Sequence, residues 1–335
     1  MNRRVTSQDV AEKAGVSQSA VSRVFTPGAS VSKKMAARVR EAADALGYRP
    51  NVLARSLITG QSRIIGLVVS YLDNQFYPEA LERLSRGLQE KGYHVLMFMS
   101  REGEEVDGVI AEILDYQVDG IVTASVSMSD GLAERCEAAG IPVVLFNRGQ
   151  DDARLSQVTA ANYAGGRQVA EHLVACGHTR IAHISGWLAS MTGRDRAQGF
   201  RDGLRDAGIA LLAELDGEYS RERASEAART LMAGPKPDAI FVGNDVMAFA
   251  VMDTLRSDLG LSVPDDVAIV GYDDVAMASW PAYDLTTVRQ PASKMVHAVI
   301  DILLTKIKDP AALAQKIEIA GPLIKRGSTR HLEDS

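Results

Sequence analysis

Apolar residues within the first fifty positions recur every three or four residues, in three short segments separated by turns. This period predicts three amphipathic helices. Thr6, Ser17 and Ser32 each stand where a helix would begin and can cap it through a hydroxyl, whereas Gly15 and Gly47 end the first and third. The predicted inner faces are Val10, Ala11 and Ala14; Val21, Val24 and Phe25; and Met35, Val39, Ala42 and Leu46. The first two helices, joined by a turn at 14–16, have the layout of a helix-turn-helix, which reads DNA.

The outer face of the second helix is polar. Gln18 with Ser22, and Ser19 with Arg23, are four residues apart near its N-terminal end, so their side chains project together. A helix that enters a DNA groove needs this arrangement. An ordinary helical hairpin at a chain end would share the turn, and the turn alone does not separate the two interpretations.

Charge favours the DNA interpretation. Residues 1–60 contain 10 Lys and Arg against 4 Asp and Glu, a net charge of +6. The rest of the chain contains 27 Lys and Arg against 39 Asp and Glu, a net charge of −12. An acidic whole chain, of net charge −6, therefore contains a basic head suited to phosphate.

Residues 48–62 have the pattern of a short helix rather than of a plain linker. Pro50 suits a helix start, and Thr59 and Gly60 suit an end. About two turns are marginal alone in water, so we predict a hinge that folds on DNA. Leu53, Ala54 and Leu57 share one face, which either contacts the body or forms an apolar wedge in the minor groove. We therefore divide the chain into a head at 1–48, a hinge at 49–61 and a body at 62–335.

The body alternates apolar runs rich in β-branched residues with helical stretches. We interpret as strands the runs at 63–70, 94–99, 119–124, 141–146, 180–185, 238–242 and 267–270, and we predict helices at 77–92, 103–117 and in most other gaps. Continuous apolar strands with helical crossovers indicate parallel sheets covered on both faces, in two α/β lobes.

Polar pairs follow several of these strands: Asp73 and Asn74, Asn147 and Arg148, Asn244 and Asp245, Asp273 and Asp274. Ligands of open α/β sheets bind outside the carboxyl ends of the strands. We therefore expect a cleft for a small polar ligand.

Other classes of protein fit less well. No apolar stretch is long enough to span a membrane and no signal peptide is visible, so we expect a soluble, cytoplasmic protein without membrane partners. An enzyme is disfavoured because the chain has no Gly-rich phosphate loop, no nucleophile elbow and no histidines at metal spacing; no catalytic residue, metal ligand or cofactor is predicted. Cys136 and Cys176 are expected to be buried free thiols. A solute-binding protein would need an export signal in place of the basic head.

The residues taken together resemble the lac repressor family over essentially the whole chain. The family pattern D-V-A-x-x-A-G-V-S-x-x-x-V-S-R-V stands at residues 9–24, and R-P-N-x-x-A-R-S-L stands at 49–57. In the body, segments 177–181, 196–200, 244–248, 263–267, 271–274 and 285–288 follow in the family's order.

The resemblance implies a homodimer that binds a pseudo-palindromic operator, with one second helix in each major groove. It implies that Gln18, Ser19 and Arg23 contact bases, and that Thr6, Ser17, Ser22, Ser30 and Ser32 help to hold phosphates. In the hinge it implies DNA contacts for Asn51, Ala54 and Leu57, with Leu57 as the wedge. Arg suits guanine and Gln suits adenine on chemical grounds as well.

For the body the resemblance implies a type I periplasmic-binding-protein fold, with lobe 1 near 62–160 and 291–320 and lobe 2 near 161–290 and 321–335. The implied effector-binding residues are Asp73, Phe76, Tyr77, Asn147, Arg148, Arg196, Tyr219, Asn244, Asp273 and Trp280. Arg194 competes with Arg196 as a ligand clamp, and Trp280 is as readily a packing residue at a lobe edge.

Aromatic planes flanked by Arg, Asn and Asp suit a sugar or sugar derivative, and a purine-type corepressor is the alternative. The function expected is that of a transcriptional regulator, a repressor, controlled by a small polar effector. The C-terminal residues have no apolar heptads, which disfavours a tetramer built on a terminal helical bundle.

Overall fold

The structure, a computed structural model, describes residues 5–26, 29–49, 61–70, 72–99, 106–124 and 128–330. The chain divides into two compact units, one of residues 1–62 and one of residues 63–335. The hinge residues 50–60, and with them the predicted hinge helix, lie outside the described residues.

The first unit contains three helices: α1 (Ser7–Ala14), α2 (Gln18–Val24) and α3 (Lys33–Leu46). Their N-termini are capped by the hydroxyls of Thr6, Ser17 and Ser32, as the sequence predicts. Gly15 follows α1 in a left-handed conformation, with φ of 60°, which glycine adopts without strain. The small core contains Val10, Val21 and Val39, and each of these side chains is fully buried.

Lobe 1 is built on a six-stranded sheet. Its strands are β1 (Ile64–Val69), β2 (His94–Met99), β3 (Gly120–Ala124), β4 (Val143–Phe146), β5 (Ser156–Ala160) and β11 (Lys316–Ile319), in the spatial order β11-β5-β4-β3-β1-β2. All of its strand pairs are parallel. Its helices are α4 (Phe76–Glu90), α5 (Val106–Asp115), α6 (Asp130–Ala138) and α11 (Ala292–Lys308).

Lobe 2 repeats this plan. Its strands are β6 (Ile181–Ser185), β7 (Ala213–Asp216), β8 (Ala239–Val242), β9 (Ala268–Asp273), β10 (Thr286–Arg289) and β12 (Leu323–Ile324), in the order β12-β10-β9-β8-β6-β7. Only β12 runs antiparallel to its neighbour among these described strands. Its helices are α7 (Asn162–Ala175), α8 (Met191–Asp206), α9 (Arg221–Ala233) and α10 (Asp245–Asp253), and a π turn, Thr254–Asp258, continues α10.

The chain crosses between the lobes after β5, after β10 and after β11. The predicted α/β two-lobed fold is therefore confirmed. The predicted strands are present within a few residues, but β5, β7, β10, β11 and β12 were not individually predicted. β5, β7, β10 and β11 contain polar residues and β12 has only two residues, so none of the five has the continuous apolar run of a buried strand.

Helices α7 and α8 pack with their backbones in close contact, which two glycines permit. A Cβ added at Gly166 would lie 2.1 Å from the carbonyl oxygen of Arg196, and one added at Gly199 would lie 2.0 Å from that of Tyr163. Any larger residue at either position would push the two helices apart. Arg196, which begins the second turn of α8, is thereby held against α7.

Both cysteines are free thiols; Cys136 is buried as expected, whereas Cys176 is only partly so. No helix in the described part of the chain is long and apolar enough to cross a membrane.

Candidate functional site

The outward face of α2 consists of the residues that sequence analysis assigns to DNA. Ala20, Val21 and Val24 point into the core, and this orientation leaves Gln18, Ser19, Ser22 and Arg23 exposed. Gln18 Nε2 donates to Ser7 Oγ at 2.9 Å, so the amide is held at the junction of α1 and α2. Three polar side chains able to donate hydrogen bonds thus share one surface with the basic Arg23.

The predicted phosphate contacts surround this face. Thr6, Ser17, Ser30 and Ser32 are exposed, and three of them cap helix N-termini. Helix N-termini attract anions because their first N–H groups lack partners within the helix. Asn51, Ala54 and Leu57 lie outside the described residues, so their assignment stays a prediction.

The turn between α1 and α2 has a support that the sequence did not indicate. Arg38, on α3, donates to the carbonyl oxygen of Ala14 through Nη2 and lies 3.5 Å from that of Gly15. The last carbonyls of α1 are thus satisfied by a cation, which also compensates the helix dipole there. Arg38 is a structural residue of the head.

In the body, most of the predicted effector residues follow the carboxyl ends of β1, β4, β7, β8 and β9. Asp273, at the end of β9, accepts hydrogen bonds from two side chains outside the predicted set. Its carboxylate is buried and accepts hydrogen bonds from Asn74 Nδ2 at 2.6 Å and from Gln290 Nε2 at 2.5 Å. Asn74 belongs to lobe 1, whereas Gln290 lies on a crossing segment. Burial raises the pKa of Asp273, and the nearby Arg196 guanidinium opposes that rise. One carboxylate of lobe 2 therefore contacts both lobe 1 and a segment that crosses between the lobes.

Arg196 is buried, and its guanidinium is held by groups of lobe 2. It donates through Nη1 to the carbonyl oxygen of Gly243 and through Nη2 to Asn162 Oδ1 at 2.8 Å. Its guanidinium carbon lies 3.4 Å from the centre of the Tyr272 ring. Nε has no partner among the described residues. Arg194, the competing candidate, is instead 54% exposed and lies 3.4 Å from the carboxylate of Asp195.

Asn147 stands on the lobe 1 side, directly after β4. Its backbone is left-handed, with φ of 66°, and its side chain is buried. Nδ2 donates to the Tyr77 hydroxyl at 3.0 Å, while Oδ1 has no partner among the described residues. The Asn147 carbonyl accepts from Thr192 Oγ1 of lobe 2 at 3.0 Å. This loop therefore contacts the other lobe and still offers a buried acceptor.

The remaining predicted effector residues are placed differently from one another. Phe76 is buried and stacks on Phe146 with ring centres 6.0 Å apart, which gives it a packing role. Asn244 is buried and caps α10 by accepting from Met247 N at 2.9 Å. Tyr219 packs its ring on Gly186, where an added Cβ would lie 2.2 Å from its Cζ atom. Asp73 is exposed, and Trp280 is 51% exposed at the end of a short 3-10 helix.

A second buried carboxylate, that of Asp245, lies against β9. It accepts from Thr287 Oγ1 at 2.6 Å and from the Val275 amide at 3.0 Å. Burial raises its pKa to about 7, and the Asp273 carboxylate adds to that rise. Asp274 beside it is paired with Arg289 at 2.5 Å and with Arg326 at 2.6 Å. Asp245 and Asp274 are thus held by structural partners.

Several residues that contribute to this arrangement were not predicted from the sequence: Asn162, Trp187, Thr192, Tyr272 and Gln290. Asn74 appeared only as one of the polar residues after β1. The only signal for most of them was their place next to a strand end, because their partners are far away in sequence.

A helix-turn-helix head in series with a two-lobed body and a polar cleft defines a transcriptional regulator rather than an enzyme. A model of the lacI family of bacterial regulatory proteins matches residues 6–51, and a model of a periplasmic-binding-protein-like domain matches residues 170–329. The chain is 33% identical over 331 residues to the ribose operon repressor of Escherichia coli (strain K12), covering 96% of this chain and 99% of that one.

Solved structures agree. The lac repressor dimer bound to operator and the anti-inducer ONPF superposes with a TM-score of 0.88 at 30% identity, over 98% of this chain and 99% of that one. The complex of the transcriptional regulator CelR with cellobiose superposes with a TM-score of 0.73 at 31% identity, over 97% of this chain and 100% of that one. The chain therefore belongs to the lacI family of bacterial regulatory proteins.

Proposed function

We propose that this protein is a cytoplasmic repressor that binds a pseudo-palindromic operator as a homodimer and responds to a small polar effector, a sugar or sugar derivative, in the cleft between its lobes. Each head would place α2 in one major groove. The two-fold symmetry of the dimer would then require two inverted half-sites.

The outward face of α2 is the observation on which the DNA part rests. Arg23 can donate two hydrogen bonds to guanine, and Gln18 can bond adenine in the same manner. Both side chains are exposed next to the caps Thr6 and Ser17. Arg23 would reach a base directly, and Gln18 would do so by exchanging its hydrogen bond to Ser7 Oγ for one to a base, while the caps would face phosphates. The related lac repressor was solved as a dimer bound to operator, which supports the same assembly here.

The effector part rests on three buried polar atoms without partners among the described residues: the acceptors Asn147 Oδ1 and Gln290 Oε1 and the donor Arg196 Nε. Leaving such atoms unpaired costs about 1–3 kcal/mol each. Sugar hydroxyls both donate and accept, so one class of ligand matches all three atoms. Relatives that regulate a ribose operon or bind cellobiose support the same class.

Effector binding would control DNA through lobe closure. Asn74 and Thr192 make contacts between the lobes, which exist only while the lobes are together. A ligand that prefers one arrangement shifts the population towards it, and a coupling of about 1–3 kcal/mol would change operator affinity about 5- to 150-fold. One titration of operator affinity against effector measures both the size and the direction of the change.

The DNA part is tested by selecting operators from random duplexes and then measuring binding by Arg23→Ala. We expect the variant to lose discrimination at one position of each half-site, about 1–3 kcal/mol, and to keep weak, salt-sensitive binding. Lys34→Ala is the matched control, because an exposed lysine at the start of α3 should weaken all sequences equally. Unchanged discrimination by Arg23→Ala would remove Arg23 from the base contacts, and selection of no inverted repeat would count against the dimer.

The effector part is tested by a thermal-shift screen of sugars, sugar acids, nucleosides and purines against the full chain. A ligand present at a hundred times its Kd stabilises the folded protein by about 2.7 kcal/mol. We expect stabilisation by a sugar. Stabilisation by a purine alone would replace the sugar with the purine corepressor, and a response that Asn147→Ala and Gln290→Ala both retain would place the site elsewhere.

A further inference from the structure

One aromatic contact joins the two lobes at the carboxyl ends of their strands. Arg148 follows β4 of lobe 1, and Trp187 follows β6 of lobe 2. The guanidinium carbon of Arg148 lies 5.4 Å from the centre of the Trp187 ring, which is the geometry of a cation–π contact. Arg148 is half-buried and Trp187 is 42% exposed, so the pair lies at the surface of the cleft.

The loop that carries Trp187 is held in place. The Trp187 carbonyl accepts from Ser190 Oγ at 2.7 Å and from the Ser190 amide at 3.1 Å. Gly193 lets α8 approach this loop, since an added Cβ would lie 2.3 Å from the same carbonyl oxygen. Gly186, the preceding residue, packs against the ring of Tyr219. The indole therefore projects from a fixed backbone beside a predicted effector residue.

The loop that carries Arg148 is held by a contact with lobe 2. Its neighbour Asn147 accepts a hydrogen bond from Thr192, which lies on α8 five residues after Trp187. A further charged contact between the lobes, Arg194 with Asp151, is longer, at 3.9 Å, and its side chains are 54% and 81% exposed. Solvent screens such a pair. Arg148 and Trp187 thus form the better-defined contact at the rim of the cleft.

We propose that Arg148 and Trp187 form a clasp that holds the lobes together and makes Trp187 a determinant of effector size. While the clasp is closed, the guanidinium and indole occupy the space between the two loops. These loops carry Asn147 and pack against Tyr219, both predicted effector residues, so we expect a ligand of one ring to leave the pair closed and a ligand of two rings to separate it. The contact between Arg148 and Trp187 does not depend on which ligand binds. The expected preference for a ligand of one ring, here called the size rule, rests on the proposed function. A cation–π contact at a partly exposed position shifts an equilibrium about two- to fivefold, and this is the effect we expect.

The clasp is tested without ligand, by fluorescence. The chain has two tryptophans, so Trp280→Phe leaves Trp187 as the only indole of the full-length protein. In this parent we measure quenching of Trp187 by acrylamide. Arg148→Met keeps the length of the side chain and removes its charge; we expect quenching to rise about twofold or more, and Arg148→Lys to restore part of the protection.

Arg194→Met is the matched control, because it removes the exposed cation of the other charged contact between the lobes. We expect quenching as in the parent. Equal quenching in the parent and in Arg148→Met would overturn the clasp, and so would an equal rise in both methionine variants, which would indicate a general effect of charge.

The size rule is tested by comparing the Kd values of D-ribose and cellobiose for the wild type and for Trp187→Ala. We expect the ratio to move in favour of cellobiose by about two- to fivefold in the variant. An unchanged ratio would overturn the size rule. If neither sugar binds either protein, the size rule is wrong, while the thermal-shift screen decides the class of effector and the quenching series decides whether the clasp exists.

Discussion

Replacing Arg196 with alanine removes a buried side chain that makes three contacts in the cleft. Two buried hydrogen bonds are lost, to the Gly243 carbonyl and to Asn162 Oδ1, together with the contact over Tyr272 at 3.4 Å. Hydrogen bonds of charged groups stabilise by about 1.5–3 kcal/mol each. The cost of burying the guanidinium, which the variant no longer incurs, offsets part of this loss.

The same change leaves Asp273 buried without its nearby cation, which raises the pKa of that carboxyl further. The balance resembles the breaking of a buried ion pair, which costs about 3–5 kcal/mol. At about 2–4 °C for each kcal/mol in a domain of this size, the melting temperature should fall by roughly 10 °C. We expect the effector response to disappear as well.

The assay is calorimetric unfolding of the full chain, with and without the ligand found by the thermal-shift screen. Arg194→Ala is the control, since an exposed arginine on the same helix should change stability by less than about 0.5 kcal/mol. A fall of less than about 2 °C in Arg196→Ala, with a normal ligand response, would refute the role assigned to Arg196.

Three further predictions follow from other parts of the structure. Gly199→Ala should destabilise the body by about 1–3 kcal/mol or more in chemical denaturation, because its Cβ would overlap the Tyr163 carbonyl. The control Gly131→Ala, whose Cβ would have no atom within 4 Å, should be neutral or stabilising. Equal effects of the two changes would contradict the close packing of α7 and α8. Burial raises the pKa of Asp245 from 3.8 to about 7, so protonation of this carboxyl stabilises the folded state at low pH. That stabilisation is lost as the pH rises from about 4 to 7. Asp245→Asn should therefore reduce the fall in melting temperature over this range, and a fall equal to that of the wild type would refute the raised pKa. Ser17→Ala should weaken α2 by about 1 kcal/mol, seen as roughly fivefold faster hydrogen exchange of its amides, and unchanged exchange would contradict the capping role.

Local chemistry explains what could be predicted from the sequence. Helix caps act within four residues, so Thr6, Ser17 and Ser32 revealed the starts of α1, α2 and α3. Continuous apolar runs likewise revealed the buried central strands. By contrast, the residues of β11 alternate between exposed and partly buried, and they are ordered by pairing with β5, which a reading of the sequence alone does not reveal.

The sequence predicted the cleft only as a set of polar residues at the carboxyl ends of strands, without the contacts among them. The hydrogen bond between Asn74 and Asp273 joins residues 199 positions apart, and no local pattern indicates such a pair. The sequence favoured Arg196 as the ligand clamp and left Arg194 as its competitor. Residues two positions apart on α8 are about 200° apart around its axis, so Arg196 lies on the buried face with Ala197 and Phe200, whereas Arg194 lies on the exposed face.

The glycine contacts between α7 and α8 have a mechanical consequence. Two helices whose backbones already touch cannot be compressed, and close-packed interiors transmit strain rather than absorb it. A ligand that pulls on Arg196 therefore moves α7 together with α8, and α7 begins where the chain enters lobe 2 from β5. Lobe 2 would then rotate as a rigid body about the segments that cross between the lobes. A small displacement at the ligand would become a larger displacement at the end of the lobe farthest from those segments.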